Sequence, residues 1–140
     1  MIKYQRLPKN ILQLLPDAVN YIESHPKVLF AYLFGRLAKD EPQPLSDVDI
    51  AVFLKEDSIS VEDKLDILGK LIDTLQTDEI DLVFLNTAGL PLIMNILRTK
   101  KVIVDKDPFS RHVFESMIMR KYFDFSIKES TMLKRRYLYG

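Results

Sequence analysis

Apolar residues along this chain follow two patterns, continuous runs and helically spaced stripes. Residues 28–34 form a continuous apolar run, the pattern of a strand buried on both faces. Residues 47–54 and 80–85 predict two further strands, each interrupted by carboxylates, and residues 101–104 are a candidate edge strand.

Helical patterns separate and flank these runs. Residues 11–24 predict a helix, with Pro16 expected to break or restart it. Ser60 is a candidate N-cap, with Asp63 completing a capping box. The residues that follow place apolar side chains at helical spacing, so this helix can cover a sheet.

The C-terminal third of the chain predicts helices only, apart from the candidate edge strand. A short helix is expected over residues 90–98. Asp107-Pro108 resembles an N-cap followed by proline at the first helical position, and the chain then has no internal glycine or proline up to about Tyr137. One long helix is therefore predicted there, mostly packed on the core, although such an apolar helix could also supply a partner interface.

The order of elements predicts a small α/β sandwich of the α+β type. Its mixed β-sheet is covered by helices, and a long helix ends the chain. A length of 140 residues fits one domain. We divide residues 1–140 into a helical N-terminal segment at 9–25, a sheet region at 28–104 and a C-terminal helical segment at 108–138.

Composition excludes several kinds of site. Lysine plus arginine and aspartate plus glutamate number 20 each, so no net field favours nucleic acid or an anionic membrane. Cysteine is absent, which excludes disulfides and thiolate metal sites, and two histidines are too few for a histidine-built zinc site. With neither a secretory signal in the first ten residues nor an apolar run of about 20 residues, we expect a cytoplasmic protein without a membrane partner.

Three aspartates interrupt the predicted strands. Because side chains alternate across a strand, Asp47 and Asp49 project from one face, about 6–7 Å apart along the backbone. The apolar residues between and after them, Val48 to Leu54 at even positions, share the other face. Asp81 repeats this anomaly on another strand, and it can join the pair if the two strands are neighbours.

Three clustered carboxylates predict a site for a hard divalent cation. They would repel each other strongly unless a cation neutralised them, and oxygen-only ligation suits Mg²⁺ or Mn²⁺. The alternative is that Asp47 is an ordinary turn residue at the start of a strand. Its alternation with Asp49, and the repetition at Asp81, favour the metal site.

Gly35 ends the first strand and precedes the carboxylates. A residue without a side chain lets the backbone approach a ligand closely and present N–H groups to phosphate. A purely structural glycine at a strand end would give the same pattern.

Together these residues resemble the minimal nucleotidyltransferase family, the MntA antitoxins of HEPN–MNT toxin–antitoxin pairs within the DNA-polymerase-β-like superfamily. The family motif is Gly-Ser, ten residues, then Asp-x-Asp, and here Gly35-Arg36 is followed by residues 37–46 and then Asp47-Val48-Asp49. Ala38-Lys39 resembles the small–basic pair after the glycine, and Ser46 precedes the first aspartate, as is usual. Residues 80–83 resemble the third-carboxylate strand, and the similarity extends into the tail around 114–115 and 122–125.

This resemblance implies an activity. Family members bind ATP with Mg²⁺ and transfer AMP to a tyrosine hydroxyl of a partner HEPN ribonuclease, which silences the toxin. By resemblance, Asp47 and Asp49 would hold two ions against the triphosphate, and Asp81 would complete the site and could act as the base for the attacking hydroxyl. The residues assigned to phosphate binding are Gly35, Arg36, Lys39 and Ser46.

One departure from the family motif leaves alternatives open. Arg36 stands in place of the serine that contacts the phosphates. A guanidinium could bind the same oxygens, it could pair with Asp47 and compete with the metal, or it could simply point to solvent. Arg36 therefore leaves open a catalytically degenerate antitoxin that acts by binding alone. A separate alternative keeps the chemistry and changes the acceptor, as in a nucleotidyltransferase acting on a small-molecule hydroxyl. The basic, aromatic ending at 134–139 is interpreted as a solvated helix end, so direct nucleic-acid binding is not expected.

Overall fold

The computed structural model describes residues 8–39, 47–55 and 59–138. Their strands are β1 (Val28–Phe34), β2 (Val48–Leu54), β3 (Ile80–Phe84) and β4 (Lys101–Asp105), and their helices are α1 (Ile11–Ser24), α2 (Gly35–Ala38), α3 (Val61–Leu75), α4 (Leu90–Thr99) and α5 (Pro108–Leu138). None of the helices in these ranges combines the length and apolarity needed to cross a bilayer. The predicted fold class is confirmed, including the long final helix.

The four strands form one mixed sheet in the order β3-β2-β1-β4. β1 pairs antiparallel with β2 and with β4, and β2 pairs parallel with β3. The registers place Asp49 opposite Phe34 of β1 and also opposite Asp81 of β3. The strands of Asp49 and Asp81 are therefore neighbours, which is the condition for Asp81 to join the other carboxylates.

One face of the sheet packs against α1 and α3. The even-numbered residues of β2, from Val48 to Leu54, are buried in this layer. The helices contribute apolar residues at helical spacing to the same cluster, namely Ala18, Ile22, Ile67, Leu71 and Leu75. This layer is the one that the alternation in residues 47–54 predicts.

The other face packs against α4 and the first half of α5. Phe30 stacks on Phe53 with ring centroids 4.8 Å apart, and Phe114 of α5 lies 5.7 Å from Phe30. Ile93 and Ile96 of α4 close the same cluster. Because odd-numbered residues of β2 and β3 point to this face, Asp49 and Asp81 lie on it, toward the end where β1 finishes.

Local signals define the starts of α3 and α5. The Ser60 hydroxyl accepts the Asp63 N–H at 3.1 Å, and the Asp63 carboxylate accepts the Ser60 N–H in return, so the predicted capping box is confirmed. At the start of α5, the Asp107 carboxylate accepts the backbone N–H and the hydroxyl of Ser110. This contact confirms Asp107 as the cap before Pro108.

One local prediction was wrong. Pro16 does not break α1, which runs through it. Its ring is exposed, so water can satisfy the carbonyl that has lost its N–H partner, while Ala18 and Ile22 hold the helix on the core. The segment after Gly35 begins as the helical turn α2, with Leu37 buried, and residues 40–46 lie outside the described residues.

A buried ionic cluster fixes α5 to the sheet. Glu115 is 8% exposed and receives Lys100 Nζ at 2.7 Å on both oxygens. The Tyr32 hydroxyl donates to the same carboxylate at 3.1 Å, and Arg111 donates from one turn earlier. Arg111 also pairs with Asp105 of β4 at 3.1 Å. Glu115 therefore ties β1 and the residue before β4 to α5, and the Arg111–Asp105 pair joins β4 itself to the same helix.

These contacts determine whether the stability of the fold rises or falls with pH. Burial would raise the pKa of the Glu115 carboxyl, but the hydrogen bonds and charges of Lys100, Tyr32 and Arg111 outweigh it and hold the pKa below its ordinary value. The carboxylate therefore stabilises the fold above its unfolded pKa of about 4.3. That stabilisation is lost as the pH falls through the folded-state value.

Glu115→Gln should lower the free energy of unfolding at pH 7 by about 3 kcal/mol, because it leaves the half-buried Lys100 without its counter-charge and Arg111 with Asp105 alone. It should also flatten the loss of stability on the acid side. Urea denaturation from pH 7 downward measures both effects. Glu129→Gln, on the exposed part of the same helix, is the control and should change little. Equal losses in the two variants would contradict this account.

Candidate active site

The carboxylate of Asp49 packs directly against the backbone of Gly35. Gly35 has φ +72°, a conformation that side chains disfavour. A Cβ built on it would overlap Asp49 Oδ2 and lie 3.1 Å from Asp49 Cγ. The glycine thus serves two purposes, the left-handed turn from β1 into α2 and the space for a carboxylate.

Asp81 lies beside Asp49 on the neighbouring parallel strand. Paired strands are about 4.8 Å apart, so the two side chains leave the same face at adjacent positions. Asp81 is exposed and Asp49 is half-buried. Asp47, also half-buried, comes immediately before the first residue of β2. The structure therefore brings Gly35, Asp49 and Asp81 together and places Asp47 at the start of the same strand.

Glu79 is a residue that sequence reasoning missed. Its carbonyl accepts the Val48 N–H at 2.9 Å, and this bond begins the β2–β3 register that sets Asp49 opposite Asp81. Its side chain is 8% exposed, and its Oε2 atom is buried without a hydrogen-bond partner among the described residues. An acidic residue before a strand looks like a turn residue, so only the strand pairing reveals its position.

The structure describes some of the residues assigned to phosphate binding and not others. Arg36 is exposed in the first turn after Gly35, and in the described part of the chain it forms no ion pair with Asp47 or Asp49. Lys39 is exposed at the end of α2, where its N–H bonds the Arg36 carbonyl. Ser46 lies outside the described residues.

The carboxylates do not by themselves complete a cation site. Within residues 8–39, 47–55 and 59–138, no three acidic or histidine side chains are grouped closely enough to hold a metal ion. Mg²⁺ typically takes one or two protein carboxylates and fills its remaining positions with water and phosphate oxygens. The donor set of Asp49 and its neighbours fits an ion bound together with a nucleotide better than an ion held by protein alone.

An apolar cavity lies away from these carboxylates. It has a volume of about 430 Å³ and lies between α1 and the opposite face of the sheet, lined by residues such as Leu15, Val19, Leu33 and Ile50. No carboxylate lines it. We therefore base the site on the arrangement of the acids and not on the size of a cavity.

Comparison with known proteins identifies the family. The model named Polymerase beta, Nucleotidyltransferase matches residues 17–109, a range that includes Gly35, Asp47, Asp49 and Asp81. The chain belongs to the polymerase beta nucleotidyltransferase family. A comparison with curated proteins finds no match.

Solved structures share the nucleotidyltransferase fold. A toxin–antitoxin structure with AMP-PNP is 23% identical, with a TM-score of 0.66 over 89% of this chain and 94% of that one. The complex of a tri-AMPylated HEPN toxin with MNT antitoxin from Shewanella oneidensis is 22% identical, with a TM-score of 0.61 over 89% and 91% of the two chains. Another Shewanella oneidensis structure is 19% identical, with a TM-score of 0.64 over 91% and 97%. Likeness at these identities establishes a shared fold.

The close contact of Gly35 with Asp49 gives a testable prediction for this nucleotidyltransferase. Gly35→Ala should cost at least about 1–2 kcal/mol, because the left-handed backbone is strained by a Cβ and the carboxylate must move. ATP binding should fall with it. Thermal unfolding and calorimetric titration with ATP measure the two effects.

Gly69→Ala is the matched control. Gly69 is exposed within α3, and a Cβ there meets nothing within 4 Å. It should raise stability by about 0.5–1 kcal/mol and leave ATP binding unchanged. If Gly35→Ala behaves like this control, the contact with Asp49 has no role in the site.

Proposed function

We propose that this nucleotidyltransferase is an antitoxin that transfers AMP from ATP to a tyrosine hydroxyl of a partner HEPN ribonuclease toxin. The observation that carries the proposal is the position of Asp49, between the Gly35 backbone and Asp81 on the neighbouring strand. The named contents of the two similar complexes, AMP-PNP in one and an AMPylated HEPN toxin in the other, support the choice of donor and acceptor.

The proposed reaction is an in-line displacement at the α-phosphorus of ATP. The tyrosine oxygen forms the new bond to phosphorus, the bond from phosphorus to the bridging oxygen breaks, and pyrophosphate leaves. Asp81 takes the hydroxyl proton. Its exposed carboxylate is accessible to a hydroxyl carried by another protein, whereas the half-buried Asp49 is not equally accessible.

Asp47 and Asp49 are the residues that would hold Mg²⁺, or Mn²⁺, with Asp81 completing the set. Bound there, two such ions would stabilise charge on both the attacking and the leaving oxygens. Gly35 leaves the backbone free to approach phosphate. Arg36, Lys39 and Ser46 follow it in the sequence and are the other residues that would bind phosphate. Arg36 and Lys39 are both exposed, so their cations are accessible to a triphosphate.

Loss of one carboxylate tests the proposed chemistry. Asp49→Asn should reduce AMP transfer about 100-fold or more, because a neutral amide removes charge from the reacting centre. The purified chain is incubated with ATP, Mg²⁺ and the protein encoded by the neighbouring gene, and that protein is then weighed by mass spectrometry. Asp47→Asn should act in the same way.

Asp73→Asn is the control, since Asp73 is exposed on α3, on the other side of the sheet. It should leave the AMP adduct at the wild-type level. A wild-type chain that binds the partner tightly without adding AMP would reject the transferase and favour the second candidate, a degenerate antitoxin acting by contact. Arg36 in place of the motif serine is the observation behind that candidate.

Substitution of Arg36 separates an adapted site from a degenerate one. If its guanidinium binds phosphate, Arg36→Ala should raise the KM for ATP about 10-fold, the loss expected for one charge-assisted hydrogen bond. Lys70→Ala, an exposed position on α3, should leave the KM unchanged. Faster transfer by Arg36→Ala or Arg36→Ser would show instead that the arginine obstructs the site.

A further inference from the structure

The second half of α5 is a helix without a covering layer. We call residues 119–135 the distal segment. Up to Ile118 the helix packs on the sheet, but beyond it every side chain through 135 is exposed except the half-buried Tyr122. Six large apolar side chains in the segment are 46–71% exposed: Met119, Phe123, Phe125, Ile127, Met132 and Leu133. Phe125 and Met132 continue the line of the buried Ile118, whereas the other four lie on the remaining sides of the helix. Exposed apolar area of this extent is typical of a binding site for another protein.

Apolar and basic side chains in this helix recur every seven residues. Ile118, Phe125 and Met132 are spaced by seven and continue the line of the buried Phe114. Three cations, Lys121, Lys128 and Arg135, have the same spacing three positions later. Residues three apart are neighbours on a helix, so an apolar line and a basic line run side by side along the distal segment.

This double line argues against a second copy of the chain as the occupant. If two such helices paired in parallel, the basic line of each would face its own counterpart. If they paired antiparallel, each cation would lie against an apolar residue without a counter-charge. Both arrangements are unfavourable in a helix seam. The distal segment holds five cations and two anions within a chain of zero net charge, so an acidic partner surface complements it.

The distal segment begins at the carboxylate end of the sheet. Tyr122 receives Arg98 Nη2 at 3.4 Å, and the Arg98 guanidinium lies 5.5 Å from the Tyr122 ring centroid. Arg98 is in the last turn of α4, which leads into Lys101. On β1, Leu33 pairs with Lys101 of β4 and the next residue, Phe34, pairs with Asp49 of β2. The end of α4 is therefore close to the end of the sheet that carries Asp49. α5 therefore leaves the α4 surface at the end of the sheet that carries the acids.

We propose that the distal segment docks the protein acceptor through an acidic, partly apolar face of that acceptor, and so holds its hydroxyl at the carboxylates. This rests on the proposed function, since the acceptor is the HEPN partner. The segment is about 25 Å long at 1.5 Å per residue, enough to contact several turns of a partner helix. The Glu115 cluster fixes its base.

A pair of double variants tests the surface with equal changes of charge. Lys121→Glu with Lys128→Glu reverses the basic line, while Arg120→Glu with Lys134→Glu reverses charge on the opposite side of the same helix. The full-length chain is titrated with the HEPN partner by calorimetry at low and high salt. We expect the first variant to weaken binding at least 10-fold and to raise the KM for the partner, with the KM for ATP unchanged. The second should bind within about twofold of wild type.

Each contrary outcome identifies a different error. Equal behaviour of the two double variants would overturn the docking surface. So would dimerisation of the chain alone in sedimentation experiments that the first variant abolishes, or binding of a polyuridine RNA that it abolishes. A wild-type chain that binds the partner through this surface but adds no AMP would overturn the proposed transferase and leave the docking surface intact.

Discussion

The contact between the Gly35 backbone and the Asp49 carboxylate is the constraint on which the rest of the site depends. β2 lies inside the sheet, so its register is fixed from both sides. The antiparallel pairing with β1 sets Phe34 opposite Asp49 and makes the chain turn at the next residue, where only glycine combines φ +72° with space for the carboxylate. The parallel pairing with β3 then brings Asp81 to Asp49.

β2 can carry a polar site because only one of its two faces is packed into a helix layer along its whole length. Val48, Ile50 and Val52 are buried against α1 and α3, and that layer holds the strand whatever its other face carries. Farther along, Ala51 joins the second core layer on the same face as Asp49. The carboxylates are thus confined to the beginning of the strand, beyond the apolar layer.

Local patterns predicted the strands, their faces and the helix caps, because alternation and capping depend on residues a few positions apart. Whether Asp81 lies beside Asp49 could not be predicted, because it depends on which strands are neighbours in the sheet. Strand order joins residues far apart in the chain. Glu115 shows the same limit. Its partners Tyr32 and Lys100 come from two other strand regions, so nothing near it in the sequence marks it as buried. Pro16 was misjudged because tertiary packing outweighed its local preference.

α5 connects the core to the proposed docking surface without a change in its sequence pattern. Phe114 and Ile118 are buried and Phe125 and Met132 are exposed, yet all four follow one line along the helix. An apolar line that continues past the domain has no stabilising partner within the described chain, and a helix that long is held at its base by the Glu115 cluster. Because α5 has no internal proline or glycine after Pro108 to kink it, a protein bound to its outer half, as proposed, would be positioned relative to the sheet end that carries Asp49 and Asp81. In the proposed function, placement of the acceptor and formation of the core would therefore depend on the same helix.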